Sequence, residues 1–420
     1  MRYRAELWDQ MQLFFGQYND HQVHCAIYLE HHLEIERIGK AVLRSMEAVP
    51  ILKCRFAERG LRPCWEEMNV CEEDVIDIVE SSSEEEEVEL FLTQRTDEFQ
   101  GPQLMVRVIR SPQRDILCIV INHMVCDAQG FKEYLYLLSY TYTRLNKTPH
   151  YIPQYNADGS RSIRQIFRQF HFLDRLKFLF MPDQMDQYDS GYRFPMSSEK
   201  GKPFIIRHRL TPERFHALRE FSRAKHVTIN DIVLTAYIRS LCQVLKISGG
   251  NSLAIPCAMD LRRFLTERQA GAICNLTSMI SCDIELHTGE SFLETLGKVK
   301  SDMDEKKRNI NLSLNGPAKL HALFNLLPYS IIKKAVRQAF INPFIAMTNI
   351  GIIDKEQLAF DDVPVLDAFV TGSIKYPPYF QIALSSFDES ITFTVNLYGS
   401  QEDKERIENF LQMVVDELPQ

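Results

Sequence analysis

The sequence has no apolar run approaching the roughly 18 to 20 residues that a spanning helix requires, and its opening MRYRAELWDQ offers no stretch that could serve as a secretory signal. The expectation is a cytoplasmic protein without a transmembrane segment. An excess of basic residues is missing too: 48 Lys and Arg stand against 56 Asp and Glu, a formal charge of −8. That balance opposes a large phosphate-neutralising surface and excludes nucleic acid from the expected partners. The ten cysteines (Cys25, Cys54, Cys64, Cys71, Cys118, Cys126, Cys242, Cys257, Cys274, Cys282) contain no C-x-x-C pair, so neither a zinc site nor a redox pair is spaced correctly, and no metal is expected. Several lie inside apolar runs, such as Cys118 in DILCIVIN, where a free thiol behaves as a small core hydrophobe; a reducing compartment fits. G-x-x-x-x-G-K, G-x-G-x-x-G and G-x-S-x-G are all absent, which removes phosphate-loop, dinucleotide and serine-hydrolase chemistry. No short-period repeat points to a solenoid.

What is present is ordinary globular composition, 45% hydrophobic and 25% charged over 420 residues, enough for two to three domains. Gln22 to Leu29 is rich in strand formers. Ile35, Ile38, Val42, Leu43 and Met46 recur at helical spacing, and Pro50 then leads into an alternating Ile51 to Phe56 that suits a half-buried strand. Ser81 to Ser83 ahead of Glu84 to Glu87 resembles a capped, acidic helix start running towards Phe99 with a solvated face. Gly101-Pro102 turns into two strands, Leu104 to Ile109 and Asp115 to Asn122. The second is nearly all apolar, so both its faces are covered and it should be central in its sheet. Asp127 caps a helix from Ala128 to about Leu145.

The texture changes between Asn146 and Pro203, with breaks at Tyr151-Ile152-Pro153, a turn at Asn156-Ala157-Asp158-Gly159, and polar stretches around Pro182 and Ser197. Beyond it, Phe204 to Leu210 and Leu253 to Met259 read as strands, and Pro212 to Lys225 and Asn230 to Leu245 as helices. QIALSSF and ITFTVNLY form a hairpin across Asp388-Glu389-Ser390, and Gln401 to Leu418 closes the chain as a helix. The expected architecture is α/β in two lobes: residues 1–150, a crossover over 151–202 with an amphipathic helix, and residues 203–420.

The most informative residues are Ile121-Asn122-His123-Met124-Val125-Cys126-Asp127-Ala128-Gln129-Gly130. A buried strand ends in Asn122-His123, a short loop follows, and a capped helix starts at Asp127. One imidazole is thus set at the mouth of the core, and its ordinary pKa of about 6.5 permits proton removal and return near neutrality. Asp127 need not touch that ring; it equally well holds the loop through an arginine. Gly130 lets the new helix pack closely.

His-x-x-x-Asp after a buried strand resembles the active-site motif of the superfamily that contains chloramphenicol acetyltransferases, peptide-synthetase condensation domains, alcohol acetyltransferases and plant acyl-CoA-dependent acyltransferases. Pro50-Ile51-Leu52-Lys53-Cys54-Arg55-Phe56 is similar to its P-x-L-x-x-R-F segment, and Gly101 to Arg107 to the strand before the motif. Val227 to Tyr237 resembles its T-x-N-D-x-x-x-x-A helix, Met259-Asp260-Leu261-Arg262-Arg263 its D-L-R segment, and Thr348-Asn349-Ile350-Gly351 its S-N-x-G strand. The resemblance spans nearly the whole chain. It implies a V-shaped pseudo-dimer of chloramphenicol-acetyltransferase-like lobes with a tunnel at their interface. It also implies acyl transfer from a thioester of coenzyme A or of an acyl carrier protein to an alcohol or amine, with His123 as base and no tightly bound cofactor. By the same resemblance Asp127 pairs with Arg262 or Arg263, Asn122 lies along the tunnel with Thr348, Asn349, Thr371 and Ser373, and Thr348, Thr371 or Ser373 supplies the oxyanion donor. Three positions depart from the family pattern: Asn122 replaces the first histidine of a doubled motif, Ala128 replaces a glycine, and no D-F-G-W-G segment occurs.

Competing readings rest on other residues. Cys126, three positions from His123, raises a thiol nucleophile, although loop neighbours have no assured hydrogen-bond geometry. His21, His24, His31 and His32 invite a metal but lack supporting ligands. A non-catalytic module that holds a carrier or lipid is a further class. Ser160 to Phe180 and Lys319 to Phe340 are basic and amphipathic; helices packed across the lobe junction are expected, with peripheral contact to anionic membrane as the alternative.

Overall fold

The computed structural model describes residues 1–59, 61–154, 159–181, 191–197, 201–247, 250–287 and 289–420. The first half runs β1 (Arg2–Arg4), α1 (Leu7–Phe15), β2 (Gln22–Leu29), α2 (Ile35–Ala48), β3 (Cys54–Ala57), β4 (Cys64–Glu67), β5 (Ile76–Glu80), α3 (Glu84–Leu92), β6 (Leu104–Arg110), β7 (Asp115–Asn122) and α4 (Ala128–Lys147). Two short helices, α5 (Arg164–Phe167) and α6 (Phe172–Phe180), lead into β8 (Lys202–Arg209), α7 (Pro212–Lys225), α8 (Ile229–Leu245), β9 (Ser252–Asp260) and β10 (Thr277–Glu285). The chain ends with α9 (Phe292–Arg308), α10 (Ile310–Leu326), α11 (Tyr329–Ala339), β11 (Ile345–Ile353), β12 (Val365–Thr371), β13 (Phe380–Phe387), β14 (Ser390–Gly399) and α12 (Gln401–Glu417). Among the described residues no helix is long and apolar enough to cross a membrane.

Two large sheets organise the lobes: a five-stranded one in the order β12-β2-β7-β6-β5 and a six-stranded one in the order β10-β9-β11-β13-β14-β8. A small sheet, β1-β4-β3, flanks the first. Strand β7 lies in the middle of the five, with all eight residues buried, as a continuous apolar run requires. Its side chains alternate between two cores. Leu117, Ile119 and Ile121 pack with Ile38 and Val42 of α2 and Phe131 and Leu135 of α4, whereas Ile116, Cys118 and Val120 pack with Val88, Phe91 and Leu92 of α3. Each such aliphatic side chain contributes about 1.5–3 kcal/mol by leaving water, so the end of β7 is a rigid platform.

A division of the chain at residue 203 does not divide the sheets. Strand β12, deep in the second half, pairs antiparallel with β2, with Val370 opposite Cys25 and Thr371 opposite His24. The apolar pattern of VLDAFVT serves both cores, since Val370 joins the α2–α4 side and Phe369 the α3 side.

Local expectations also shift. Pro50–Lys53 is a 3-10 turn rather than the start of a strand, because the proline favours the first turn of a helix, and only Cys54–Ala57 is extended. Helix α3 stops at Leu92, short of Phe99, where the Thr93 hydroxyl donates back to the Glu89 carbonyl at 2.8 Å. Its acidic face is not merely solvated: Glu85 pairs with Arg207 and Glu89 with Lys404 of the second lobe. The basic stretches each break into two helices, the second at Pro328. The turn expected at 156–159 falls largely on residues 156–158, which lie outside the described residues, as does Pro182.

Candidate active site

Helix α4 begins at Asp127 because its carboxylate caps the helix, accepting from the Gly130 N–H at 2.9 Å. Its other oxygen, Oδ2, accepts from the Leu276 N–H at 2.7 Å, the Thr277 hydroxyl at 3.0 Å and the Arg262 guanidinium at 3.0 Å. All three donors come from the second lobe. Burial alone would raise the Asp127 carboxyl, but the Arg262 charge and these hydrogen bonds win and hold it below the ordinary carboxylate range. Arg262 is itself 1% exposed; it reaches Asp260 at 3.0 Å and the Cys274 carbonyl at 2.8 Å. Arg263 turns outward over the Phe264 ring and takes no part. Gly130 is required by close approach to protein: a Cβ there would stand 2.8 Å from the Cys126 Cβ and 2.9 Å from the Cys274 carbonyl oxygen.

The loop between β7 and α4 is held at three successive carbonyls, those of His123, Met124 and Val125. Asn275 donates to the His123 and Met124 carbonyls at 2.9 and 3.2 Å. Arg161 donates to the Met124 and Val125 carbonyls at 3.3 and 2.8 Å while paired with Asp9 at 2.7 Å. The His123 N–H donates to the His21 carbonyl at 2.8 Å, and Asn122 accepts from the Met124 N–H at 3.0 Å. Arg161, counted in the sequence as part of a basic surface, thus turns inward.

The His123 ring is half-buried at this junction, neither packed solid nor in open water. Its Nδ1 is buried and makes no hydrogen bond. Burial lowers the pKa of the imidazole below 6.5; its own carbonyl, Asp127 and Asn275 pull it back up, and the Lys375 ammonium pushes it further down. The neutral ring that can accept a proton is the form favoured near neutrality.

The remaining sequence-derived positions divide sharply. Asn122 is fully buried, and its side chain donates to Thr96 at 3.2 Å, so it shapes the loop from within. The Ser373 hydroxyl donates to the Gln22 carbonyl at 2.8 Å, and Thr371 shares its proton with Thr394 at 2.6 Å or Asn396 at 3.1 Å. A hydroxyl has one proton to give, so neither serves as an oxyanion donor here. Thr348 is half-buried on β11; Asn349 is exposed, bonds Asn230 of α8 at 3.1 Å and accepts from the Gly351 N–H at a β-bulge. Cys126 is fully buried and burial pushes its thiol well up, the opposite of an activated nucleophile. His21 engages Glu98 at 3.1 Å and His24 the Gly372 carbonyl at 2.9 Å, and among the described residues no group of three His, Cys, Asp or Glu is placed to hold a metal ion. Surface hollows of about 340 and 470 Å3, lined by residues such as Phe194 and Phe410 or Arg2 and Arg55, share no lining residue with this site.

Arg161, Asn275 and Lys375 were not singled out as site residues. Each acts on the loop from a distant part of the chain, and only the basic, polar character of their segments hinted at them.

The fold is that of condensation domains and their acetyltransferase relatives, two chloramphenicol-acetyltransferase-like lobes in one chain. Among solved structures, the chain is similar to polyketide synthase associated protein 5 from Mycobacterium tuberculosis, with a TM-score of 0.70, 14% identity, and coverage of 99% of this chain and 97% of that one. It is similar to trichothecene 15-O-acetyltransferase from Fusarium sporotrichioides, with a TM-score of 0.71, 12% identity, and coverage of 99% and 95%. It is also similar to the first condensation domain of the CDA synthetase, with a TM-score of 0.71, 12% identity, and coverage of 100% and 96%. No family model matches the sequence, and no curated protein matches it.

Proposed function

We propose that the protein transfers an acyl group from a thioester to an alcohol or amine, with His123 as general base. The observation that carries this reading is a half-buried imidazole on a firmly held loop where the two lobes meet, with burial pushing it towards its neutral form. Nε2 takes the proton of the acceptor as its oxygen or nitrogen attacks the thioester carbonyl. The C–S bond then breaks, the thiolate recovers the proton from the imidazolium, and ester or amide and free thiol are released without an acyl-enzyme. Holding both substrates in line supplies about 7–11 kcal/mol of the barrier, and the base a further ~10²- to 10⁴-fold. Asp127 and Arg262 are positioning residues that fix the loop, and Gly130 admits their close packing.

The donor is free acyl-CoA or an acyl carrier thioester, used as a co-substrate rather than a resident cofactor. Ten free cysteines suit a reducing, cytoplasmic setting. The likeness to condensation domains favours a second reading, amide formation on carrier-bound substrates. The test is mass spectrometry of products from mixed acyl-CoA thioesters, acyl carriers and a panel of alcohols and amines, comparing wild type with His123→Ala. His123-dependent ester or amide supports acyl transfer; carrier or lipid binding without thiol release identifies a non-catalytic module instead.

A further inference from the structure

A surface helix ordinarily turns its apolar stripe inward and its polar residues out. Helices α6, α10 and α11 bury apolar residues and present others to solvent. On the inner side Phe178, Leu314, Phe324 and Ile332 belong to one continuous core. On the outer side of α6, Phe172, Leu173 and Phe180 are 68%, 69% and 80% exposed. Their spacing sets them within one arc of the helix, with Lys177 beside them. Leu323 and Leu326, one turn apart on α10, and Ile331 near the start of α11 are exposed as well.

The three helices form one surface. The Asn315 side chain on α10 donates to the Phe178 and Met181 carbonyls at 3.0 and 3.2 Å, and the Phe167 ring stands 5.9 Å from the His321 ring. Helix α6 therefore runs antiparallel beside α10. Helix α11 follows α10 after Leu327-Pro328, and the Phe14 ring of α1 packs on both, 6.3 Å from the Phe324 ring and 5.9 Å from the Tyr329 ring. The same surface is basic in a chain of net charge −8. From Asn309 to Ile353 there is no acidic residue to offset Lys319, Lys333, Lys334 and Arg337, and from Ser162 to Met181 only Asp174 stands against Arg164, Arg168, Arg175 and Lys177. Arg164 bonds His321 and Asn325, and Arg175 the Phe170 carbonyl, none of which cancels a charge. Lys177 pairs with Asp174 and Lys333 with Glu58; among the described residues no carboxylate pairs with Arg164, Arg168, Arg175, Lys334 or Arg337.

We propose that the outer face of α6, α10 and α11 rests on an anionic lipid surface. None of these residues belongs to the His123 site, so the inference stands apart from the reading of that site. A protein partner is gripped by side chains seated in fitted pockets, whereas side chains this exposed have no walls around them. The two surface hollows described above share no residue with this face. The boundary between headgroups and acyl chains accepts separate Phe and Leu side chains without a matching shape, while the surrounding Arg and Lys meet lipid phosphate and carboxylate groups. The remainder of an acidic chain is repelled by the same surface, which leaves this face as the one that approaches.

The test is co-sedimentation of the full chain with large vesicles of phosphatidylcholine, alone or mixed with phosphatidylserine, at low and raised salt. Wild type is compared with Phe172→Ser/Phe180→Ser, with Leu326→Ser on a different helix, with Arg168→Gln/Lys334→Gln/Arg337→Gln, and with Leu90→Ser, an exposed apolar position on α3. Melting temperatures close to wild type identify the variants that remain folded. Wild type is expected to pellet with the phosphatidylserine vesicles and to be released by salt. The paired Phe substitution should lower partitioning by about 10- to 100-fold, the charge variant by about 10-fold or more, and Leu90→Ser should bind as wild type does. No pelleting of wild type on phosphatidylserine vesicles at low salt, or undiminished pelleting of both folded apolar variants, overturns the proposal. Capture by an immobilised phosphopantetheinylated acyl carrier protein, or self-association, that the paired Phe substitution abolishes while vesicles bind nothing assigns the face to a protein and overturns it equally.

Discussion

His123 and Asp127 stand at opposite ends of one short loop and are treated in opposite ways by the rest of the molecule. At the Asp127 end both carboxylate oxygens are engaged: four donors from three stretches of chain converge on them, and the paired cation is 1% exposed. At the His123 end the backbone is equally well held, but the ring is half-buried and its Nδ1 is left without a hydrogen-bond partner. Saturation fixes geometry, and the unsatisfied group placed on that fixed backbone is the one left to react. The comparison teaches that the two residues of the motif should fail differently.

The largest expected effect is on turnover. His123→Ala lowers acyl transfer by about 10²- to 10⁴-fold with a melting temperature close to wild type; a large thermal loss would merge the two ends of the loop. Next comes stability. Arg262→Ala strands the Asp127 charge, and Asp127→Asn strands Arg262, so each should cost about 3–5 kcal/mol in denaturant unfolding, while Arg263→Ala stays within about 0.5 kcal/mol. Smaller again, Gly130→Ala forces the α4 start away from the Cys274 backbone and should cost about 1–3 kcal/mol.

The smallest effect separates the two ends by pH. His123 and His24 are lowered from 6.5 by burial, so the folded state prefers them neutral. Their contribution is complete above the unfolded value and is lost as pH falls below 6.5. Asp127 is lowered from 3.8, so its contribution persists above 3.8 and is lost only in stronger acid, as pH falls through its folded value. Urea unfolding at pH 7 and pH 5 should therefore show a smaller acid loss in His123→Ala than in wild type, whereas Arg263→Ala, which touches neither end of the loop, should leave that interval unchanged.

The position of the loop was legible because its causes are local. An uninterrupted ILCIVI demands a central strand, and an aspartate before an apolar stripe demands a helix start. Its anchoring was not, because the donors lie far along the chain: Asn275 is 152 residues from His123, and Arg161 belongs to a stretch whose composition reads as surface. Composition records that a residue is charged and not which way it faces. Two of the three oxyanion candidates are spent for a related reason, since the hydroxyls of Thr371 and Ser373 are consumed by cross-chain bonds invisible to spacing, while Thr348 is left half-buried on β11. Strand β12 escaped notice because a VLDAFVT run fits either sheet equally well.

That borrowed strand has a consequence for anyone who would split the protein. Residues 1–150 expressed alone would keep β2 paired with β7 but leave bare the margin that β12 covers along His24–Leu29, with no charged residue or proline in β2 to deter association. Such a fragment should self-associate, and a synthetic peptide spanning Val365–Thr371 should suppress that by occupying the vacant register.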